Sequence, residues 1–299
     1  MAYQNAQVRD LVWVMSAPNL LVDADWLVTD KECQVWLDAA TPQLRALDAN
    51  PDALHSWIAK YKPVRLGRYF EVLVHYWIAH LMPATWYVTN QIVKSERIVL
   101  GEYDLLWRDA AGALQHWEIA VKFYLQIDVN AGFAGYVGTM LRDRLDLKVS
   151  HLRDKQLRLS STSAGAASLP VVGEPVRARV LLKSWLFYPA GVTPQFASGL
   201  SHQHLHGWWG RWGELDLADD MYWQILPRLA WLSPVLTLDA SILWCKPDFV
   251  VHLTAYFNQS QVPVLVAGLS CIEDVWHEQT RGFITPLGWP DLTNCIDVT

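Results

Sequence analysis

The chain has 299 residues, 52% hydrophobic and 18% charged, with a formal net charge of −6 at pH 7. That composition excludes a disordered chain, which carries fewer apolar residues, and a collagen-like one, which needs far more than 16 Gly and 15 Pro. No apolar run approaches the ~18 residues of a membrane helix, and the short apolar patch at 11–15 lacks a basic region ahead of it, so neither a span nor a signal peptide is expected.

Residues 1–60 read as an N-terminal helical region, with Thr41 as a helix cap and Pro42 at a first helical position. The clearest helix is RLGRYFEVLVHYWIAHLM at 65–82: Leu66, Phe70, Leu73, Trp77 and Leu81 share a face, and Pro83 ends the run. Strand-like stretches follow at 86–93 and 98–107, then a turn at 109–112 and a third strand at 113–125. Residues 141–160 read as a charged helix with Leu141, Leu145, Val149, Leu152 and Leu159 as its apolar stripe. The Ser-, Ala- and Gly-rich stretch at 161–175 reads as a flexible loop. Beyond it, 176–188 begins with strand alternation, 218–232 reads as helical, 264–269 as a strand and 282–293 as loop. The expected class is α/β with an antiparallel hairpin in the middle.

Charge is unevenly spread. Residues 60–158 hold 14 Lys and Arg against 10 Asp and Glu, whereas the rest holds 10 against 20. A basic segment inside an acidic chain suits a groove for a polyanion. Cys33, Cys245, Cys271 and Cys295 form no CxxC and read as reduced thiols, which points to a cytoplasmic protein. Most of the 17 Trp are expected in the core, and some could stack on bases.

Within the basic segment, Glu71, Glu102, Asp104, Glu118 and Lys122 stand out. Gly112 suits the left-handed position that ends a three-residue hairpin loop. Asp109 then faces Ala113, Asp104 faces Glu118 and Glu102 faces Ala120. Alternation puts Glu102, Asp104, Glu118, Ala120 and Lys122 on one face, with Tyr103, Leu105, Trp107, Ile119, Val121 and Phe123 on the other. A four-residue loop would instead place Asp104 opposite Trp117. Opposed carboxylates have Cβ atoms ~4.5–5.5 Å apart and repel. A divalent cation offsets that, since Mg²⁺ takes a few carboxylate oxygens plus water and phosphate. Lys122, on the same face, could orient a water or stabilise charge on a phosphate. Glu71 lies beside an apolar helical stripe, where a carboxylate needs a partner.

These residues resemble the PD-(D/E)xK nuclease superfamily, with Glu71 on a helix, GEYD at 101–104 on one strand, and Glu118 and Lys122 on the next. The strings LGRYFE at 66–71, GEYDLL at 101–106, HWEIAVKFYL at 116–125 and DRLDLKVSHL at 143–152 are similar to a bacterial family designated domain of unknown function 1853. WLFYP at 185–189 and RGFITPLGWP at 281–290 add to that likeness. The superfamily resemblance implies a restriction-endonuclease-like core at 61–160 with a central mixed sheet and flanking helices. N-terminal helices would precede it, and an α/β extension at 176–299 would pack on it as one domain. It also implies Mg²⁺-dependent (or Mn²⁺-dependent) phosphodiester hydrolysis of nucleic acid, DNA before RNA. Carried over, Asp104 and Glu118, with Glu102, would bind metal, Lys122 would position the water and Glu71 would assist. Lys148 and Gln156 would be accessory polar residues. One departure stands out: the superfamily places its second acid two residues before the lysine, where this chain has Ala120. Glu118 lies one pleat further, ~6.6 Å away. The alternative is therefore an inactive nuclease fold that binds nucleic acid or acts as a scaffold.

Two other patterns were weighed. Arg144, Lys148, His151 and Lys155 step by four, three and four, a helical stripe that with Gln156 would hold phosphates. His202, His204 and His206 alternate and would share a strand face, but no Cys or further His stands at zinc-ligand spacing. GxSxG, P-loop, HExxH and strand–turn–helix GxGxxG patterns are absent, so esterase, NTPase, zincin and dinucleotide-binding readings lack support.

Overall fold

The computed structural model describes residues 3–22 and 24–290. Cys295 and the end of the tail expected as loop, 291–293, lie outside the described residues.

Four helices come first: α1 (Ala6–Ser16), α2 (Asp30–Ala49), α3 (Asp52–Tyr61) and α4 (Leu66–Tyr76). Thr29 caps α2 in a reciprocal pair with Glu32. Thr41 and Pro42, expected to start a helix, instead lie within α2, where the Thr41 hydroxyl donates to the Leu37 carbonyl. Helix α4 runs into a π-turn at Trp77–Leu81 before Pro83. The hairpin region supplies β1 (Trp86–Ser95), β2 (Ile98–Arg108) and β3 (Leu114–Gln126), followed by β4 (Tyr136–Val137). Next come α5 (Leu145–His151), which passes into a second π-turn at Leu152–Gln156, and α6 (Ser163–Ala167). Part of the stretch expected as a loop is thus a short helix, capped by the Thr162 side chain. The remainder comprises β5 (Val176–Pro189), β6 (Leu205–Arg211), β7 (Tyr222–Ile225), β8 (Leu236–Thr237), β9 (Trp244–Cys245), α7 (Lys246–Phe257), β10 (Val264–Ile272) and β11 (Val275–Thr285).

Among the described residues, eleven strands join one mixed sheet, flanked by helices, with the main order β1-β2-β3-β5-β6-β11-β10-β7-β9. The α/β expectation with a central mixed sheet therefore holds. Two local expectations fail for tertiary reasons. Residues 222–225, expected in a helix, form β7 because Trp223 pairs with Gly268 on β10, and Pro227 has no N–H to continue a helix. Residues 286–290 are irregular as expected, whereas 282–285, expected as loop, belong to β11 and run parallel to β6. There the Trp208 ring lies where a Cβ on Gly282 would sit, 2.1 Å from its nearest atom, so no larger residue fits. No described helix is long and apolar enough to cross a membrane.

Strand alternation sorts the core. Trp117, Ile119, Val121, Phe123 and Leu125 of β3, with Leu181, Trp185 and Phe187 of β5, face α1–α4. Ala120 and Tyr124, with Val180, Leu182, Leu186 and Tyr188, face the side covered by Leu145, Val149 and Leu152. Trp117 is fully buried against Trp36 and Trp107, at ring separations of 5.4 and 5.2 Å. Trp117→Ala is expected to cost about 3–5 kcal/mol, read as a lowered midpoint in urea with little change in slope.

Candidate functional site at the fork between two strands

The hairpin joining β2 and β3 closes as its residues dictate. Gly112 adopts φ +81°, its N–H donates to the Asp109 carbonyl at 2.9 Å, and the Asp109 side chain accepts from the Ala111 and Ala113 N–H groups. The three-residue loop sets the expected register, from Arg108 opposite Leu114 to Leu105 opposite Trp117. Pairing stops there. At the next position the Asp104 carboxylate, not its backbone, takes the Ile119 N–H at 2.9 Å. Beyond that point β3 continues alongside β5 through Leu125, and β2 diverges. On the other flank, Asn90 is left-handed at φ 54° and interrupts the β1–β2 ladder opposite Asp104.

Asp104 and Glu118 meet in this fork, as their register predicts. Burial pushes the Asp104 carboxyl up to about 8, with the Glu118 charge adding to it and the Ile119 N–H opposing it. Burial likewise pushes Glu118 up to about 7, against a hydrogen bond from Asp104 and the Lys148 charge. Glu118 is fully buried. It shares a hydrogen bond with His116 Nε2 at 2.8 Å and accepts from the Gln156 amide. Burial depresses His116 to about 4, which favours the neutral imidazole. Two acids driven upward side by side favour sharing a proton or binding a cation.

The other expected residues lie close by, some in different roles. Glu71 accepts from Arg68 at 2.8 Å, and its charge reaches Asp104. Arg68 also donates to Asn90 Oδ1 at 3.0 Å, and Asn90 Nδ2 donates to Glu102 at 2.8 Å. A polar chain thus links α4 to β2 across β1. One turn after Glu71, His75 hydrogen-bonds the Asp104 backbone. Glu102 repels Glu118 but is held by Asn90. Among the described residues no group of three or more His, Cys, Asp or Glu is placed to hold a metal ion.

Lys122 does not point at the acid pair as its own partner; its ammonium is ion-paired with Asp143. Lys148 is half-buried, and its ammonium is depressed by burial and then by Lys122, with Asp104, Glu118 and Asp143 opposing. It donates to Gln156 at 3.3 Å, and Gln156 also bonds His151 at 3.0 Å. The expected outward stripe is therefore broken. The π-turn after His151, closed by Leu157 N–H to the Leu152 carbonyl at 3.0 Å, changes the helical step and turns Gln156 onto Glu118. Arg144 precedes α5 and pairs with Asp146 at 2.7 Å, while His151 and Lys155 are exposed.

Sequence reasoning missed His116, Asn90, Asp143 and Tyr124. His116 and Tyr124 were within reach, because each lies two residues from Glu118 or Lys122 and shares its face. Asn90 and Asp143 carried no local signal. Tyr103, expected in the core with the odd-numbered residues, is fully buried, but in a separate cluster with Val93, Leu106, Leu114 and Leu159, and its ring packs edge-to-face on His116 at 4.7 Å. The histidine run is also partly internal: His204 is buried and bonds the Tyr188 hydroxyl at 2.8 Å.

The fold and site define a mixed α/β protein with a carboxylate pair, Glu118 buried and Asp104 half-buried, beside Lys148. The chain belongs to the family described as a domain of unknown function, DUF1853, which it matches over residues 9–285. No curated protein and no solved structure matches the chain.

Proposed function

We propose that this protein is a Mg²⁺-dependent (or Mn²⁺-dependent) phosphodiesterase that acts on nucleic acid, DNA before RNA, through a PD-(D/E)xK-like site. The observation that carries this reading is the Asp104–Glu118 pair in the fork, joined by the hold of the Asp104 side chain on the Ile119 N–H; burial pushes both carboxyls well above their ordinary values, with the Glu118 charge adding to Asp104 and the Glu102 charge to Glu118. Their oxygens are hard donors of the kind Mg²⁺ takes alongside water and phosphate. When bound, the ion would neutralise the pair and polarise a phosphoryl oxygen. His116 and Gln156 orient the Glu118 oxygens, and the Ile119 N–H orients Asp104. The ammonium groups of Lys122 and Lys148 suit the charge that builds on a phosphate in the transition state. Exposed Lys155 adds positive charge along the path proposed for a phosphate backbone, with Arg144, paired to Asp146, and the exposed His151 side chain as further donors.

A second reading, a nucleic-acid-binding protein without turnover, draws on Ala120 at the usual acid position and on Lys122 pairing away from Asp104 and Glu118. One experiment separates the two. Calorimetry with Mg²⁺ and Mn²⁺ is combined with cleavage assays on single- and double-stranded DNA and RNA. The expected result is metal binding at a single class of site and cleavage that falls at least about 100-fold in Lys122→Ala. Salt-sensitive binding with no cleavage in either metal establishes the second reading instead.

A further inference from the structure

Resting on the phosphodiesterase reading, we propose that Asp143 acts through Lys122 as a positioning residue, supplying from outside β3 the counter-charge that Ala120 does not. Ala120, Lys122 and Tyr124 share one face of β3. Ala120 is packed among Tyr124, Tyr136, Leu145, Val149 and Leu152, surroundings that would leave a carboxylate there without water. The counter-charge to Lys122 comes instead from the turn after β4. That turn is tied down by Gly138 N–H to the Asp143 carbonyl at 2.8 Å and by a bridge between Val137 and Arg144. It brings Asp143 Oδ2 onto the Lys122 ammonium, while Asp143 Oδ1 accepts from the Tyr124 hydroxyl at 3.0 Å.

Both oxygens of Asp143 are thus fixed, one by the lysine and one by a tyrosine whose ring is buried in the sheet face. The lysine head group is thereby held beside Tyr124 at one end of β3. Its part is to meet the negative charge that builds on a phosphate oxygen. Asp143 serves the lysine and not a metal in this arrangement, since one of its oxygens is taken by Lys122 and the other by Tyr124.

The test compares steady-state cleavage, Mg²⁺ affinity and the ¹⁵N signal of the Lys122 side chain in wild type, Asp143→Asn, Asp143→Glu and Tyr124→Phe. A misplaced catalytic group costs about 100-fold. Asp143→Asn is expected to lower kcat by about 10- to 100-fold with KM changed less than about threefold. Asp143→Glu recovers most of the loss, Tyr124→Phe shows a smaller fall in the same direction, and Mg²⁺ affinity stays within about twofold. The slowly exchanging Lys122 ammonium signal disappears in Asp143→Asn. Unchanged kcat in Asp143→Asn, or a loss confined to KM, overturns the inference while leaving the phosphodiesterase reading intact. A wild-type protein that binds Mg²⁺ and cleaves nothing overturns the reading itself, and with it the catalytic part of the inference. An ammonium signal insensitive to Asp143→Asn removes the ion pair on which the inference is built.

Discussion

Asp104→Asn is expected to be more stable than the wild type at pH 8 and to have lost metal binding and cleavage. The variant imitates the protonated acid. Its amide oxygen can accept the Ile119 N–H that Asp104 now takes at 2.9 Å, and its NH₂ can donate to Glu118. The sign follows from linkage. Asp104 and Glu118 have folded values of about 8 and about 7, above their ordinary 3.8 and 4.5. Between those limits the native state binds more protons than the unfolded chain, so stability falls as pH rises. Above pH 8 the full cost of the buried charges is in place. Removing one charge relieves a penalty on the order of 2 kcal/mol, discounted because the two acids are coupled. Thermal melts across pH 4 to 9 measure it: the variant should gain on the wild type as pH rises and converge with it near pH 4. Activity should fall by about 1,000-fold or more, as for a lost transition-state electrostatic partner. A variant less stable than wild type at pH 8 would show that the pair is satisfied as charged carboxylates and does not await a cation.

Mg²⁺ affinity should rise with pH by about 100-fold between pH 6 and pH 8. At pH 6 the pair holds at least one proton, which the metal must displace, and each proton released contributes up to tenfold per pH unit. The rise should flatten once pH passes the folded value of about 8. Calorimetry in two buffers of different ionisation enthalpy reads the proton release directly. At pH 8 a concentration of Mg²⁺ 100 times the Kd should stabilise the wild type by about 2.7 kcal/mol and leave Asp104→Asn unmoved. Affinity independent of pH across this range would place any bound metal away from the fork. The neutral His116 does not complicate the profile, because its value of about 4 lies below the window.

The acid pair sits at a position that makes chemical sense for the fold. A closed ladder between β2 and β3 would bury Asp104 and Glu118 side by side with no room for a third party. The Asp104 side chain takes the Ile119 N–H where the β2–β3 ladder ends, and polar side chains come toward this point from elements on both faces of the sheet. Helix α4 brings Glu71 and Arg68 from one face, while α5 and the π-turn after it bring Lys148 and Gln156 from the other. Each π-turn lies next to one of these helices, and such turns recur where a helix must aim a side chain off its regular step.

What the residues alone determined is local and periodic. Gly112 can adopt the left-handed conformation that a three-residue loop requires, and alternation then carries the register outward, so the ladder as far as Leu105 opposite Trp117 was one of the two registers that spacing allowed. The 3.6-residue apolar repeat of α4 and the run of β3 were legible for the same reason: their signals lie within a few residues. What only the tertiary structure decided depends on distant partners. The ladder ends at Asp104 because its side chain competes for the Ile119 N–H, which no periodicity encodes. Lys122 pairs with Asp143, 21 residues away, only because the turn after β4 folds back over β3. Residues 222–225 pair with β10 against their helical appearance, since neighbouring strands supply hydrogen bonds that an isolated segment lacks. Side-chain identity set which groups could meet, and the long-range packing of strands and helices set which of them do.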